Sequence, residues 1–169
     1  HVFDSTHIID HIEVRRAEEG EKLKLLNDKD LTLTADDLVI ADAEGAVALA
    51  GVMGGAKDSV LPTTNSVILE VANFESRGVR RTALRYDNRT EASSRYEKAI
   101  DPERCDQALS LTMKLLAEQF PDMKVTAISD KYPNKLVKKE IDVEFEWLDR
   151  RLGKRIPQEV VAKKLGTMG

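Results

Sequence analysis

The stretch DLVIADAEGAVALAGVMGG, residues 37 to 55, narrows more than any other what this chain can fold into. Two apolar runs, 37–42 and 46–53, are split by Glu44-Gly45 and end on the glycines Gly51, Gly54 and Gly55. Short apolar runs rich in branched residues and bounded by turn signals read as central, mostly buried strands. Around them, IEVRRA (12–17), KLKLL (22–26) and LTLT (31–34) begin by alternating apolar with polar residues, and Asn27-Asp28-Lys29-Asp30 separates the last two. Period two with an Asn/Asp turn predicts a hairpin meander. SVILEVANF (66–74) reads as one more buried strand with a single misfit, Glu70.

Helical spacing follows. Residues 76–86 place Val79, Ala83 and Tyr86 on one side and arginines on another, while 101–120 opens with Asp101 as N-cap and Pro102 in the first turn. In that second helix Cys105, Ala108, Leu109, Leu115, Leu116 and Phe120 share a broad face, which predicts packing on a core. KVTAIS (124–129) alternates again. After the Pro133-Asn134 turn, EIDVEFEWLDRRLG reads as a strand and a short helix, and PQEVVAKKLG as a further helix. The expected architecture is α+β: a mixed or antiparallel sheet core with packed helices over 1–135, then the truncated start of a second small domain over 136–169.

Composition removes several function classes. At 41% hydrophobic and 33% charged residues the chain falls among globular proteins and outside the disordered ones. Its formal charge of -4 means that an RNA partner needs a local basic patch, because the overall field is acidic. The lone Cys105 excludes an internal disulfide, suits a reducing cytosol and reads as a core residue. No apolar run reaches the roughly 18 residues of a membrane-spanning helix. HVFDSTHIID has neither an initiating Met nor a signal-peptide pattern, and both chain ends read as the interior of something longer.

The glycines raise the question of a phosphate loop. That loop needs Lys followed by Ser or Thr, so that a hydroxyl meets magnesium; here Lys57 is followed by Asp58, whose carboxylate repels an anion. ATP is therefore discounted for this stretch, and the glycines are left as positions of close backbone approach. His1, His7 and His11 fall within eleven residues, but the approach to a strand suits solvent-facing or hydrogen-bonded imidazoles better than metal ligands. No G-x-S-x-G nucleophile elbow occurs. Glu70 has two readings: a residue turned to solvent or paired with Arg77, Arg80, Arg81, Arg85 or Arg89, or a pocket acid that reads a polar substrate group. The run with Arg77, Arg80, Arg81, Arg85, Arg89 and Arg95 interleaved with Tyr86 and Tyr96 is likewise either a solvated helix face or a surface for RNA ends and phosphates.

Three separated stretches then share one likeness. HVFD at 1–4, GVMGGAKDSV with TTNSVILEVANF, and LRYDNRTEASSRYEKAIDPE together resemble the editing domain of bacterial phenylalanyl-tRNA synthetase beta subunits, in order, spacing and length over about residues 1 to 130. The tail from about 140 is similar to the opening of the domain that follows there. The resemblance implies an aminoacyl-tRNA editing activity, hydrolysis of tyrosine wrongly esterified to tRNA(Phe), within a phenylalanine ligase of protein biosynthesis. The alternative is a non-catalytic tRNA-binding or subunit-contact module.

The roles that the resemblance implies are these. Glu70 accepts the phenol, Gly54 with Gly51 and Gly55 forms the pocket wall, Thr90 and Ala92 line the opposite wall and entrance, and His1 helps place water or ester as the catalytic residue. No metal or cofactor belongs to this domain, whereas ATP and magnesium serve the full synthetase. The implied partners are tRNA(Phe) and the alpha subunit, in a tetramer of two alpha and two beta subunits, in the cytoplasm and away from membranes. Two departures stand out: Ala99 replaces a family glycine, and the family's segment ahead of the H-x-F-D motif, with its further pocket residues and an arginine, is absent here.

Overall fold

The computed structural model describes residues 1–57, 59–137 and 140–168, so that Asp58, part of the argument against a phosphate loop, lies outside the described residues. Two compact units divide the chain, His1–Ile128 and Ser129–Gly169. The first is α+β, as expected, and its sheets are antiparallel. A four-stranded sheet has the order β2 (Glu13–Arg16), β5 (Leu38–Asp42), β6 (Gly45–Leu49), β7 (Met53–Gly54). Two pairs accompany it: β3 (Lys22–Lys24) with β4 (Asp30–Thr32), and β1 (Val2–Asp4) with β8 (Val67–Leu69).

The apolar runs act as expected. Val39, Ile40 and Ala41 of β5 and Val47, Ala48 and Leu49 of β6 are all buried, so both faces of these strands are covered. Asp42 closes the turn between them by accepting from the Glu44 and Gly45 amides at 2.9 and 3.1 Å. On the β3–β4 hairpin, Leu23, Leu25, Leu31 and Leu33 point inward in alternation and join the same core. The edge strand β2 is mostly exposed, and Arg15 holds Glu21 with two contacts at 2.8 and 3.0 Å.

Helix α1 (Ser76–Arg85) buries Val79, Thr82 and Ala83, and Glu75 caps it by accepting from the Arg77 and Gly78 amides. The Thr82 hydroxyl and the Arg85 guanidinium both reach the fully buried Asp37, each at 2.8 Å, and Tyr86 donates to the same carboxylate. A short helix α2 (Glu91–Tyr96) follows, opened by a reciprocal capping box between Thr90 and Ser93.

Helix α3 (Arg104–Gln119) departs from expectation. It starts three residues later than Asp101, whose carboxylate instead accepts from the Glu103 amide, and none of its residues is buried. Leu115 and Phe120 are 52% and 60% exposed, and Cys105, Leu109 and Leu116 are only partly covered, so the expected core-facing stripe lacks a core. KVTAIS forms no strand: alternation needs a neighbouring ladder, and Val125 and Ile128 stay exposed. The run 66–74 yields only the three residues of β8, which pairs on one side alone and is half-buried at best.

In the second unit, residues 141–144 likewise form no strand. Helices α4 (Phe145–Leu152) and α5 (Gln158–Gly166) are joined through Gly153, at φ 70°, and Pro157. The Asp149 carboxylate accepts from the Ile156 amide at 3.1 Å, and Arg151 lies over the Trp147 ring at 5.2 Å.

Candidate functional site

The β1–β8 ladder pairs Val2 with Leu69, Phe3 with Ile68 and Asp4 with Val67. One rung further, the His1 nitrogen donates to the Glu70 carbonyl at 2.8 Å and the Glu70 amide donates to the His1 carbonyl at 2.8 Å. Opposed residues that exchange both bonds carry their side chains on the same face, about 5.5 Å apart at Cα. By period two that face also holds the buried Phe3 and the core-packed Ile68. Glu70 therefore shares the inward face, and the solvent-facing reading of it fails.

The arginine-paired reading fails as well. Among the described residues Glu70 enters no ion pair, while Arg85 is taken by Asp37 and Asp36, and Arg89 by Glu97. Burial pushes the Glu70 carboxyl above the ordinary glutamate range.

The imidazole of His1 packs edge-on against Phe3, with ring centroids 4.6 Å apart. It lies over Gly54, where an added Cβ would stand 2.4 Å from its Cε1 and 2.6 Å from its Nε2. The missing side chain at Gly54 thus makes room for His1. The other two glycines serve the backbone. Gly51, at φ 70°, lies against Val79 and Phe74, and a Cβ on Gly55 would come within 2.2 Å of the Val47 carbonyl oxygen, which accepts from the Gly55 amide.

Thr90 donates to the Val52 carbonyl at 2.7 Å and accepts from the Ser93 amide, so α2 is anchored to the glycine loop. Ala92 is exposed at the second position of α2. Two clefts, of about 270 and 440 Å³, open elsewhere, along Glu21, Lys22, Asp42, Ala46 and Lys57; of the predicted pocket and catalytic residues, Gly55 alone is among those that line them. Of the three early histidines, His11 contacts Asp10 at 3.0 Å, and among the described residues the buried Nδ1 of His7 has no hydrogen-bond partner.

Tyr96, noted in the sequence only as an aromatic interleaved with the arginines, is a neighbour of this site. Its hydroxyl donates to the Ala72 carbonyl at 2.9 Å and its ring meets Phe74 edge-on at 5.2 Å. Burial raises its pKa, and so does the negative charge of Glu70, which places the two groups within electrostatic reach. The signal was present in the sequence: Tyr96 lies three residues after Ser93, and that spacing puts it on the inner face of α2 once Ser93 is buried.

An antiparallel α+β core that carries a histidine and an unpaired, half-buried carboxyl on one rung, backed by a glycine loop, defines the class, and the chain belongs to the B3/4 domain family, whose pattern matches residues 1–121. It is similar to the phenylalanine--tRNA ligase beta subunit of Solibacter usitatus, at 39% identity over 99% of this chain and 22% of that protein. The protein of the same name from Nocardia farcinica is 38% identical over 100% of this chain and 20% of its own length. That of Lactobacillus johnsonii is 45% identical over 69% of this chain and 15% of its own. The resemblance read from the three motifs is borne out, and the chain spans about a fifth or less of the length of these relatives.

Proposed function

We propose that this chain is the editing domain of a phenylalanyl-tRNA synthetase beta subunit and that it hydrolyses tyrosine wrongly esterified to tRNA(Phe). The observation that carries the reading is Glu70: a carboxyl on an inward strand face, raised in pKa by burial and without an ion-pair partner. Burying such a group is costly unless something hydrogen-bonds to it, and a tyrosine phenol supplies that bond. A synthetic pocket that accepts phenylalanine rejects the hydroxylated analogue only weakly, whereas a site built to bond the hydroxyl rejects the analogue that lacks it. Leaving the partner unmade costs about 1–3 kcal/mol, or roughly 5- to 150-fold in selection.

In this reading the His1 imidazole, seated over Gly54 and opposite Glu70, orients water at the ester carbonyl. Water adds to the carbonyl, the acyl–oxygen bond breaks, and tyrosine leaves a free terminal ribose hydroxyl. The rate comes from positioning water and ester, without a covalent enzyme intermediate. Thr90 holds the wall beside the loop, and Ala92 lies at its entrance. The domain works without a metal or cofactor of its own, in a cytoplasmic enzyme whose alpha subunit, with ATP and magnesium, makes the aminoacyl ester.

A second reading, a non-catalytic tRNA-binding or subunit-contact module, draws on one observation: two open clefts lie away from His1 and Glu70. The two readings separate in a deacylation assay with the full-length beta subunit that carries this chain, assembled with its alpha partner. Release of tyrosine from Tyr-tRNA(Phe) in preference to phenylalanine from Phe-tRNA(Phe) supports editing; release of neither supports the module.

A further inference from the structure

We propose that the outer face of α1, bearing Arg77, Arg80 and Arg81, grips the phosphate backbone of an RNA strand; the inference rests on the tRNA reading above and assigns it a surface. The six arginines between 77 and 95 fall into two groups. Arg85 binds Asp37 at 2.8 Å and Asp36 at 3.4 Å, Arg89 binds Glu97 at 2.5 Å, and Arg95 binds Glu91 at 3.0 Å. Those three are engaged in ion pairs, Arg85 with the buried Asp37 and the other two at the surface. Arg77, Arg80 and Arg81 are exposed, and among the described residues they enter no ion pair within 4.0 Å.

Their spacing of three and four residues puts them on one side of the helix. Val79, Thr82 and Ala83 on the other side are buried, and Val79 packs against Gly51, so one rigid helix joins the arginine face to the glycine loop.

Stability does not account for this arrangement. Cations near a helix N-terminus oppose the macrodipole, and like charges four residues apart repel. Arg77 is the second residue of α1, Arg81 follows it by four, and the helix contains no acidic residue. The capping carboxylate of Glu75 lies within electrostatic reach of Arg77 and Arg81, and its two hydrogen bonds go to the Arg77 and Gly78 amides. Guanidinium forks match phosphate oxygens bidentately, and phosphates repeat along a strand as these arginines repeat along the helix. In a chain of net charge -4 this patch supplies the attraction that the overall field does not.

The test is the salt dependence of binding of uncharged tRNA to the full 169-residue chain, native against Arg77→Gln/Arg80→Gln/Arg81→Gln, with Arg89→Gln/Arg95→Gln as control. Each phosphate neutralised contributes about 0.7–0.9 to the slope of log affinity against log salt. The triple variant should lose about 2–3 from that slope and bind roughly tenfold or more weakly at moderate salt. The control should keep the native slope. Circular dichroism should show the triple variant folded and melting no lower than native, and single Arg→Gln variants should each lose about one from the slope. Equal slopes for native and triple variant, or native binding of polyglutamate in preference to tRNA, would overturn the proposal. Because uncharged tRNA is the probe, a failure of deacylation with this binding intact counts against editing alone.

Discussion

His1 and Glu70 stand opposite each other one rung beyond β1 and β8, exchanging both main-chain hydrogen bonds at 2.8 Å. The pairing brings the two ends of a 69-residue separation into one site and turns both side chains to the face of Phe3 and Ile68. A carboxyl whose pKa is raised in the folded state favours folding only while it is protonated. Its contribution is full below the unfolded glutamate value of about 4.3 and is lost as pH rises through the folded value. Glu70→Gln should therefore melt at a higher temperature than the native chain at pH 7, and the difference should close toward pH 4. Thermal melts of both chains across that range measure it; a constant difference would mean that Glu70 is not desolvated.

Adjacent glycines separate the site from the scaffold. A methyl at Gly54 meets the His1 ring, which can turn aside, so Gly54→Ala should cost about 1 kcal/mol or less while displacing the imidazole. A methyl at Gly55 meets the Val47 carbonyl oxygen at 2.2 Å, where only backbone movement gives relief, and should cost about 3 kcal/mol. Urea unfolding of the two variants, with the His1 ring followed by NMR, distinguishes these outcomes.

Asp37 ties α1 to the β-sheet through Arg85, Thr82, Tyr86 and Thr34. Burial pushes its carboxyl up, but hydrogen bonds from Tyr86, the Thr34 amide and Thr82 outweigh that and hold it below the ordinary aspartate range. Asp37→Ala should cost about 3–5 kcal/mol, since Arg85 loses its buried partner. Asp37 and Glu21, the latter held down to about 2 chiefly by the hydrogen bond from Arg15, both have depressed folded values. Their stabilisation is present above the ordinary carboxylate range and is lost as pH falls through the folded values. Acid unfolding monitored from pH 5 to pH 2 should show that loss, earlier in Arg15→Ala than in the native chain.

Ala99 adopts φ 54°, in the left-handed region that disfavours any residue with a Cβ. The family likeness places a glycine there, and the backbone supplies the reason. Ala99→Gly should stabilise the chain by up to about 1 kcal/mol, read as a rise in urea midpoint at unchanged slope.

What the sequence disclosed followed the reach of local physics. The buried runs of β5 and β6, the Glu44-Gly45 and Asn27-Asp28 turns and the inner face of α1 were legible because their partners lie close along the chain. The stripe on α3 and the alternation at 124–129 were misread because a pattern states what a segment can bury, and only a packing partner decides whether it does. Glu70 was visible as a misfit, yet the solvent-facing and pocket readings differed by one residue of register, which was set by His1, 69 positions away. Tyr96 was named with the arginine run and not with the pocket, because its contacts come from Ala72 and Phe74 on another segment.

The most direct test of the account is deacylation of Tyr-tRNA(Phe) by the full-length beta subunit in its complex, native against Glu70→Ala, with Phe-tRNA(Phe) as the comparison ester. The account expects native protein to hydrolyse the tyrosyl ester selectively and Glu70→Ala to lose that selectivity, with the two esters then cleaved at rates within a few-fold of each other. Undiminished preference for the tyrosyl ester in Glu70→Ala would contradict it, since the hydroxyl would then be read by another group.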